Sequence, residues 1–202
     1  MQDEVLILGG GVAGCAASIA LARKGRSVTL IEREPTPRHK VCGEFLSGEA
    51  LEDLHALGID VALLGAVPID LVRLAAARRA AEAPLPFPAA SLTRKALDTA
   101  LIAAAIAAGV RVERGRGVQS LSRATANLWQ ATLDDGATYE APTAFLATGK
   151  HDLRGHGRPK DPHQWVAFKM YYRLTPRQTA DLADASELTL YAGGYGDRKS
   201  VV

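Results

Sequence analysis

The sequence predicts an α/β fold, and three observations carry the prediction. A short apolar run, Val5 to Leu8, stops at glycine. A helical repeat from Val12 to Lys24 closes at Gly25, and a second apolar run, Ser27 to Glu32, follows at once. Two short runs without polar alternation read as strands buried on both faces, so the first 32 residues form a βαβ unit.

The remaining elements follow in order. Pro35 and Pro37 break the chain, and Ser47 is placed to cap a helix through Ala56 that carries Leu51, Leu54 and Leu57 on one side. Pro68 to Arg79 reads as a strand, and Pro84, Pro86 and Pro88 mark a turn-rich return. Thr93 opens an Ala-rich helix that ends near Gly109. Short strands are expected at Val110–Glu113, Gly117–Leu121, Leu128–Leu133 and Ala137–Glu140, the last two joined by the hairpin dipeptide Asp135-Gly136. Thr143–Thr148 reads as a buried strand ending at Gly149. Beyond a polar Gly/Pro/His loop, Trp165–Leu174 alternates like a strand, Thr175-Pro176 starts a short helix, and Glu187–Ala192 is a further strand.

Composition narrows the function classes. The chain has 202 residues, 48% hydrophobic and 23% charged, which is a folded α/β profile and excludes disorder and collagen-like repeats. A net charge of +2 and 5% aromatic residues give no basic stripe with stacking platforms, so no nucleic-acid partner is expected. Arg111, Arg114 and Arg116 read instead as the solvated face of a strand, and 154–160 as a polar connection between domains. The longest apolar run, 100–110, is about half of a membrane span, and Asp3 and Glu4 stand where a signal peptide needs positive charge. No integral membrane segment is expected. Two cysteines, Cys15 and Cys42, suit a reducing compartment, and a cytoplasmic location is expected. His39, His55, His151, His156 and His163 form no i, i+4 pair and have no Cys cluster beside them, so no metal site is expected and loop histidines are the default.

The strongest chemical signal is Gly9-Gly10-Gly11-Val12-Ala13-Gly14, a G-x-G-x-x-G between the first strand and the first helix. In this motif the first glycine makes the tight turn, the second lets a pyrophosphate approach the backbone, and the third lets the helix pack on the strand. The helix amino terminus offers unpaired N–H groups and partial positive charge to the phosphates. Glu32 stands eighteen residues beyond Gly14, at the end of the second strand, where a carboxylate can accept both ribose hydroxyls of an adenosine. The motif alone does not separate a nicotinamide from a flavin dinucleotide.

Five segments carry a resemblance. The run from Gly9 to Ser18, with Ala20-Leu21-Ala22-Arg23-Lys24-Gly25, looks like the opening of flavoprotein oxidoreductases of the aromatic-hydroxylase and geranylgeranyl-reductase superfamily, with Val12 where proline is common. Arg38-His39-Lys40-Val41-Cys42-Gly43-Glu44-Phe45-Leu46-Ser47 resembles the more specific Lys-x-Cys-Gly-Glu-x-Leu-Ser segment of the geranylgeranyl-reductase-like branch. Arg94-Lys95-Ala96-Leu97-Asp98 with Leu101, the Ala147-Thr148-Gly149 strand end, and Phe168–Arg173 with Gly193-Gly194-Tyr195 are similar to further parts of that superfamily.

The resemblance implies an FAD/NAD(P)-binding Rossmann-like ββα sandwich with an inserted antiparallel substrate-binding sheet. The FAD domain would comprise 1–66 and 91–150, and the substrate sheet 67–90 and 151–196. Gly9, Gly11, Val12, Ala13 and Gly14 would cradle the FAD pyrophosphate, Glu32 would hold the adenosine ribose, and Arg33 would lie over the adenine. Arg94 would reach the pyrophosphate or ribityl region, Val118 would offer its backbone to the adenine edge, and Thr148 and Gly149 would close the cofactor side. Cys42, Gly43 and Glu44 would sit near the isoalloxazine, with Cys42 either catalytic or packing beneath the ring.

The implied activity is a flavin-dependent oxidoreductase in which NAD(P)H reduces the flavin and the substrate is a small apolar molecule. The alternatives are a monooxygenase or halogenase of the same superfamily, the halogenase lacking its Trp-x-Trp-x-Ile-Pro element here, and an NAD-dependent dehydrogenase, which would need repeating βα units after Glu32. Asp197 to Val202 departs from the family, where Gly194-Tyr195-Gly196 would continue into further strands. It looks like a translated sequencing adapter running into a stop codon. These six residues are expected to be a non-native tail on about half of a larger flavoprotein, a fragment that would bind FAD weakly and turn nothing over.

Overall fold

The computed structural model describes residues 4–159 and 166–201. In chain order the elements are β1 (Val5–Leu8), α1 (Val12–Ala22), β2 (Val28–Glu32), β3 (Phe45–Leu46), α2 (Gly48–Ala56), β4 (Val67–Pro68), β5 (Leu71–Ala76), β6 (Arg79–Pro84) and β7 (Ala90–Ser91). They continue as α3 (Arg94–Ala107), β8 (Arg111–Arg114), β9 (Val118–Thr125), β10 (Leu128–Leu133), β11 (Thr138–Ala141), β12 (Thr143–Leu146), α4 (Pro176–Asp181), β13 (Ala185–Tyr191) and β14 (Gly194–Arg198).

Two compact units divide the chain: 1–38 with 98–165, and 39–97 with 166–202. In the first unit a parallel sheet runs in the order β12-β1-β2-β8, with Leu8 opposite Leu146 on one side and Ile31 on the other. Every residue of β1 is buried, as a strand with neighbours on both sides requires. The antiparallel sheet β11-β10-β9 covers it through Leu6, Leu8, Ile31, Leu121, Ala131, Leu133, Ala141 and Leu153. Burying each large aliphatic side chain in such a cluster contributes about 1.5–3 kcal/mol. The β10–β11 connection turns at Gly136, φ +84°, as the Asp-Gly pair predicts.

The second unit holds the sheet β14-β13-β5-β6 and a small sheet β3-β7-β4. Ser47 caps α2 by accepting from the Ala50 N–H, and Thr175 with Gln178 forms a complete capping box on α4.

The two-fold alternation expected to make one strand of 165–174 does not do so. Residues 166–174 form no strand, Trp165 lies outside the described residues, and Val166, Phe168, Met170 and Tyr172 are all exposed. Among the described residues this segment pairs with no neighbouring strand, and a strand needs a ladder as well as a pattern. The expected single strand Pro68–Arg79 is instead a hairpin, because Ala77 and Arg78 turn the chain between Ala76 and Arg79. Asp197 and Arg198 continue β14 opposite Leu188 and Glu187. Among the described residues no helix is long and apolar enough to cross a membrane.

Ala77 adopts φ +52° at the first central position of that two-residue turn, where hairpins favour glycine. Its side chain is exposed, so the left-handed backbone costs without any packing in return. Ala77→Gly is expected to stabilise the chain by about 0.5–1 kcal/mol, read as a rise of roughly 2 °C in Tm by thermal melting.

Candidate functional site

The end of β1 and the start of α1 make a cradle that admits little but glycine. Gly9 has φ +117°, and a β-carbon there would meet the Ala147 carbonyl oxygen at 2.3 Å. At Gly14 a β-carbon would lie 1.8 Å from the Gly9 carbonyl oxygen. Gly11, by contrast, has φ −80° and ψ −171°, which any residue can adopt, so its backbone angles do not account for the glycine.

Helix α1 begins with no side-chain cap and no acidic residue in its first turn. The first-turn N–H groups of Val12 and Ala13 therefore face off the helix end, where the dipole favours an anion. Ser18 Oγ donates to the Gly14 carbonyl at 2.7 Å and Cys15 Sγ to the Gly10 carbonyl at 3.4 Å, fixing the turn behind the cradle.

Glu32, at the end of β2, is tied to this loop. Its Oε2 accepts from the Gly10 N–H at 2.6 Å and its Oε1 from the Glu34 N–H at 2.9 Å. Gly10 was not among the expected site residues; the signal for it was its place between two glycines that were. On the other side of β1, Ala147 N–H donates to the Leu8 carbonyl at 2.9 Å, Thr148 Oγ1 donates to the His151 carbonyl at 2.5 Å, and Gly149 turns with φ +65°.

Arg33 Nε donates to Glu34 Oε1 at 3.2 Å, and its Nη2 lies 2.8 Å from His151 Nε2. Burial, then the positive charges of Arg33, Lys150 and Arg38, hold the His151 imidazole below its ordinary range. His151, read from sequence as an ordinary loop histidine, is thus brought to the expected cofactor residues. Val118 starts β9 opposite Leu133 and packs half-buried on the unit's core.

The remaining expected residues, Cys42, Gly43, Glu44 and Arg94, fall in the second unit. Glu44 is 4% exposed and takes φ +55°. Its Oε1 accepts from the Arg94 N–H at 2.7 Å, from the Tyr171 hydroxyl at 2.9 Å and from Lys169 Nζ at 2.5 Å. Burial, the largest single influence, lowers Lys169, but its bonds to Glu44 and Tyr171 and their charges together outweigh it and hold the ammonium above its ordinary range; burial first, then Glu44, raises Tyr171. Tyr171 Oη also lies 2.8 Å from His39 Nδ1, and the two rings are 4.7 Å apart. Cys42 is a half-buried free thiol whose Sγ accepts from the Glu44 N–H at 3.5 Å, and Gly43 lies beside the Asp197 carboxylate. Among the described residues no cluster of His, Cys, Asp or Glu could hold a metal ion.

Comparison with known proteins gives this geometry a family. Residues 2–144 match the FAD binding domain family. The menaquinone reductase of Mycolicibacterium smegmatis is 30% identical over 178 residues, which is 85% of this chain and 44% of that protein. The squalene epoxidase of Schizosaccharomyces pombe is 38% identical over 65 residues, 32% of this chain and 14% of that protein. Among solved structures, the flavin-dependent brominase Bmp2 superposes with a TM-score of 0.63 at 23% identity, covering 74% of this chain and 39% of that one. The tetrameric 2-methyl-3-hydroxypyridine-5-carboxylic acid oxygenase superposes with a TM-score of 0.62 at 26% identity, covering 71% of this chain and 38% of that one. The chain spans less than half the length of these relatives. With more than half of its residues inside the matched family and that family's glycine cradle formed at the end of β1, the chain belongs to the FAD binding domain family of FAD-dependent oxidoreductases and monooxygenases.

Proposed function

We propose that the chain holds FAD at the β1–α1 cradle and is the cofactor-binding part of a geranylgeranyl-reductase-like oxidoreductase. In this reading its flavin is reduced by NAD(P)H and its substrate is a small apolar molecule. The observation that carries the cofactor assignment is the cradle itself: two glycines that a β-carbon would close, an uncapped helix start, and a carboxylate hydrogen-bonded to the loop between them. When bound, the flavin supplies hydride transfer or dioxygen activation.

The chain's own residues would bind and orient. The N–H groups at the start of α1 face the pyrophosphate, and Gly11 leaves room for it. Glu32 accepts the ribose hydroxyls while keeping Gly10 in place. Glu44, buried under Lys169 and Tyr171, fixes both the first turn of α3, through the Arg94 N–H, and the thiol of Cys42. A role for Cys42 and Gly43 beside the isoalloxazine belongs to this reading. Relatives named for menaquinone and squalene support an apolar substrate.

The second reading, a monooxygenase or halogenase, is favoured by the brominase and oxygenase folds. A cytoplasmic location accords with either. The two readings part when the reduced full-length protein is reoxidised with substrate present. The reductase reading expects a product that gains two hydrogens with no coupled oxygen uptake; a product that gains oxygen establishes the other.

Glu32→Gln is expected to weaken FAD binding about tenfold or more, because it removes the charge from the acceptor of Gly10 and the ribose; calorimetric titration reads it. For the second unit, Lys169→Met strands a buried carboxylate and is expected to cost about 2–4 kcal/mol in denaturant unfolding. Adding Glu44→Gln to it should recover most of that loss, a coupling that a double-mutant cycle measures directly.

A further inference from the structure

The strands β12 and β2 lie on either side of β1, so the residues that follow them flank the glycine cradle at about two strand spacings, roughly 10 Å apart. Arg33 follows β2 and His151 follows β12, and their side chains meet at 2.8 Å. That contact bridges the end of β1, where Gly9 and Gly10 begin the cradle.

Both ends of the bridge are anchored. Arg33 is held by Glu34, which also binds Arg38 at 2.7 Å and donates its N–H to Glu32. On the other side, Thr148 Oγ1 donates to the His151 carbonyl, and the His151 N–H reaches the Thr148 carbonyl at 3.4 Å. No residue of the bridge belongs to the core, so its contacts do not hold the sheet together.

We propose that His151 is a positioning residue of the adenosine site: with its neutral imidazole accepting from Arg33, it latches the guanidinium across the end of β1, closing the adenosine end of the cradle. The proposal rests on the FAD reading above. Arg33 can only donate, so the bond needs a bare Nε2 on His151. A protonated imidazole would present N–H to N–H beside Arg33, Lys150 and Arg38, with Glu34 the one opposite charge among the groups that act on it. The pH direction follows. His151 is held below its ordinary range, so the closed latch is present at neutral and higher pH and is lost as acid protonates the ring.

The test is FAD binding to the full chain at about pH 8 and about pH 5.5, followed by flavin fluorescence, for the wild type, His151→Gln and His151→Ala, with circular dichroism confirming the fold of each. The two His151 variants separate this imidazole from the other groups that titrate between those pH values. The wild type is expected to bind and hold FAD about fivefold less well at the lower pH, a modest factor because the pair is half-exposed. Gln offers an acceptor that does not titrate, so His151→Gln should hold FAD as tightly at both. His151→Ala should be about fivefold weak at both. A His151→Gln variant that keeps the wild-type pH dependence, or a His151→Ala variant that matches the wild type at about pH 8, overturns the latch while leaving the FAD reading standing. If the wild type does not bind FAD at either pH, the FAD reading falls and the latch falls with it.

Discussion

A β-carbon on Gly14 would stand 1.8 Å from the carbonyl oxygen of Gly9, and one on Gly9 would stand 2.3 Å from that of Ala147. These two contacts set the geometry of the first unit. They bring α1 onto the end of β1 and β1 onto the end of β12 more closely than any other residue pair would permit. Everything chemical in the unit is arranged around that junction: the uncapped start of α1, Glu32 at the end of β2 and Arg33 just beyond it, and Thr148, Gly149 and His151 beyond β12. Because a close-packed interior yields discrete arrangements rather than graded ones, moving α1 outward by a methyl group would displace its N–H groups from the loop they face.

Much of this was legible in the sequence, for a physical reason. The β1–α1–β2 unit is coded by local features: apolar runs that need burial, a glycine where φ must be positive, a helix that starts without a capping side chain. Ser47, Thr175 and Asp135-Gly136 act within four residues of themselves, and all three make the caps or turn expected of them. Glu32 was legible because its distance from the glycines is set by one helix and one strand.

What the sequence did not disclose depends on partners distant in the chain. The side-chain alternation of 166–174 satisfies a strand's pattern, but whether a strand forms is decided by whether a neighbouring backbone offers hydrogen bonds. Ala77 looked like the interior of an apolar run, and the turn there is imposed by the pairing of β5 with β6, at the cost of a left-handed alanine. His151 stood out from the other histidines only by lying two residues past Thr148-Gly149. Its contact with Arg33 spans 118 residues and exists because β12 and β2 share β1 as a neighbour.

Glu32 and Glu44 show how one residue type is given two tasks by donor count and burial. A carboxylate offers about four acceptor positions. In Glu44 a single oxygen, 4% exposed as a residue, already takes three protein donors: a backbone N–H, a hydroxyl and an ammonium. That group is committed to the second unit's own structure, and its left-handed backbone is tolerated because the three donors over-determine its position. Glu32 is half-buried, and each of its oxygens takes one backbone N–H, from Gly10 and from Glu34. Two acceptor positions therefore remain, and a ligand with two hydroxyls can use them without releasing the loop that the same carboxylate holds. The residue can thus be organised before binding and still retain the capacity to bind, so the ordering of the glycine loop need not be repeated each time a cofactor enters.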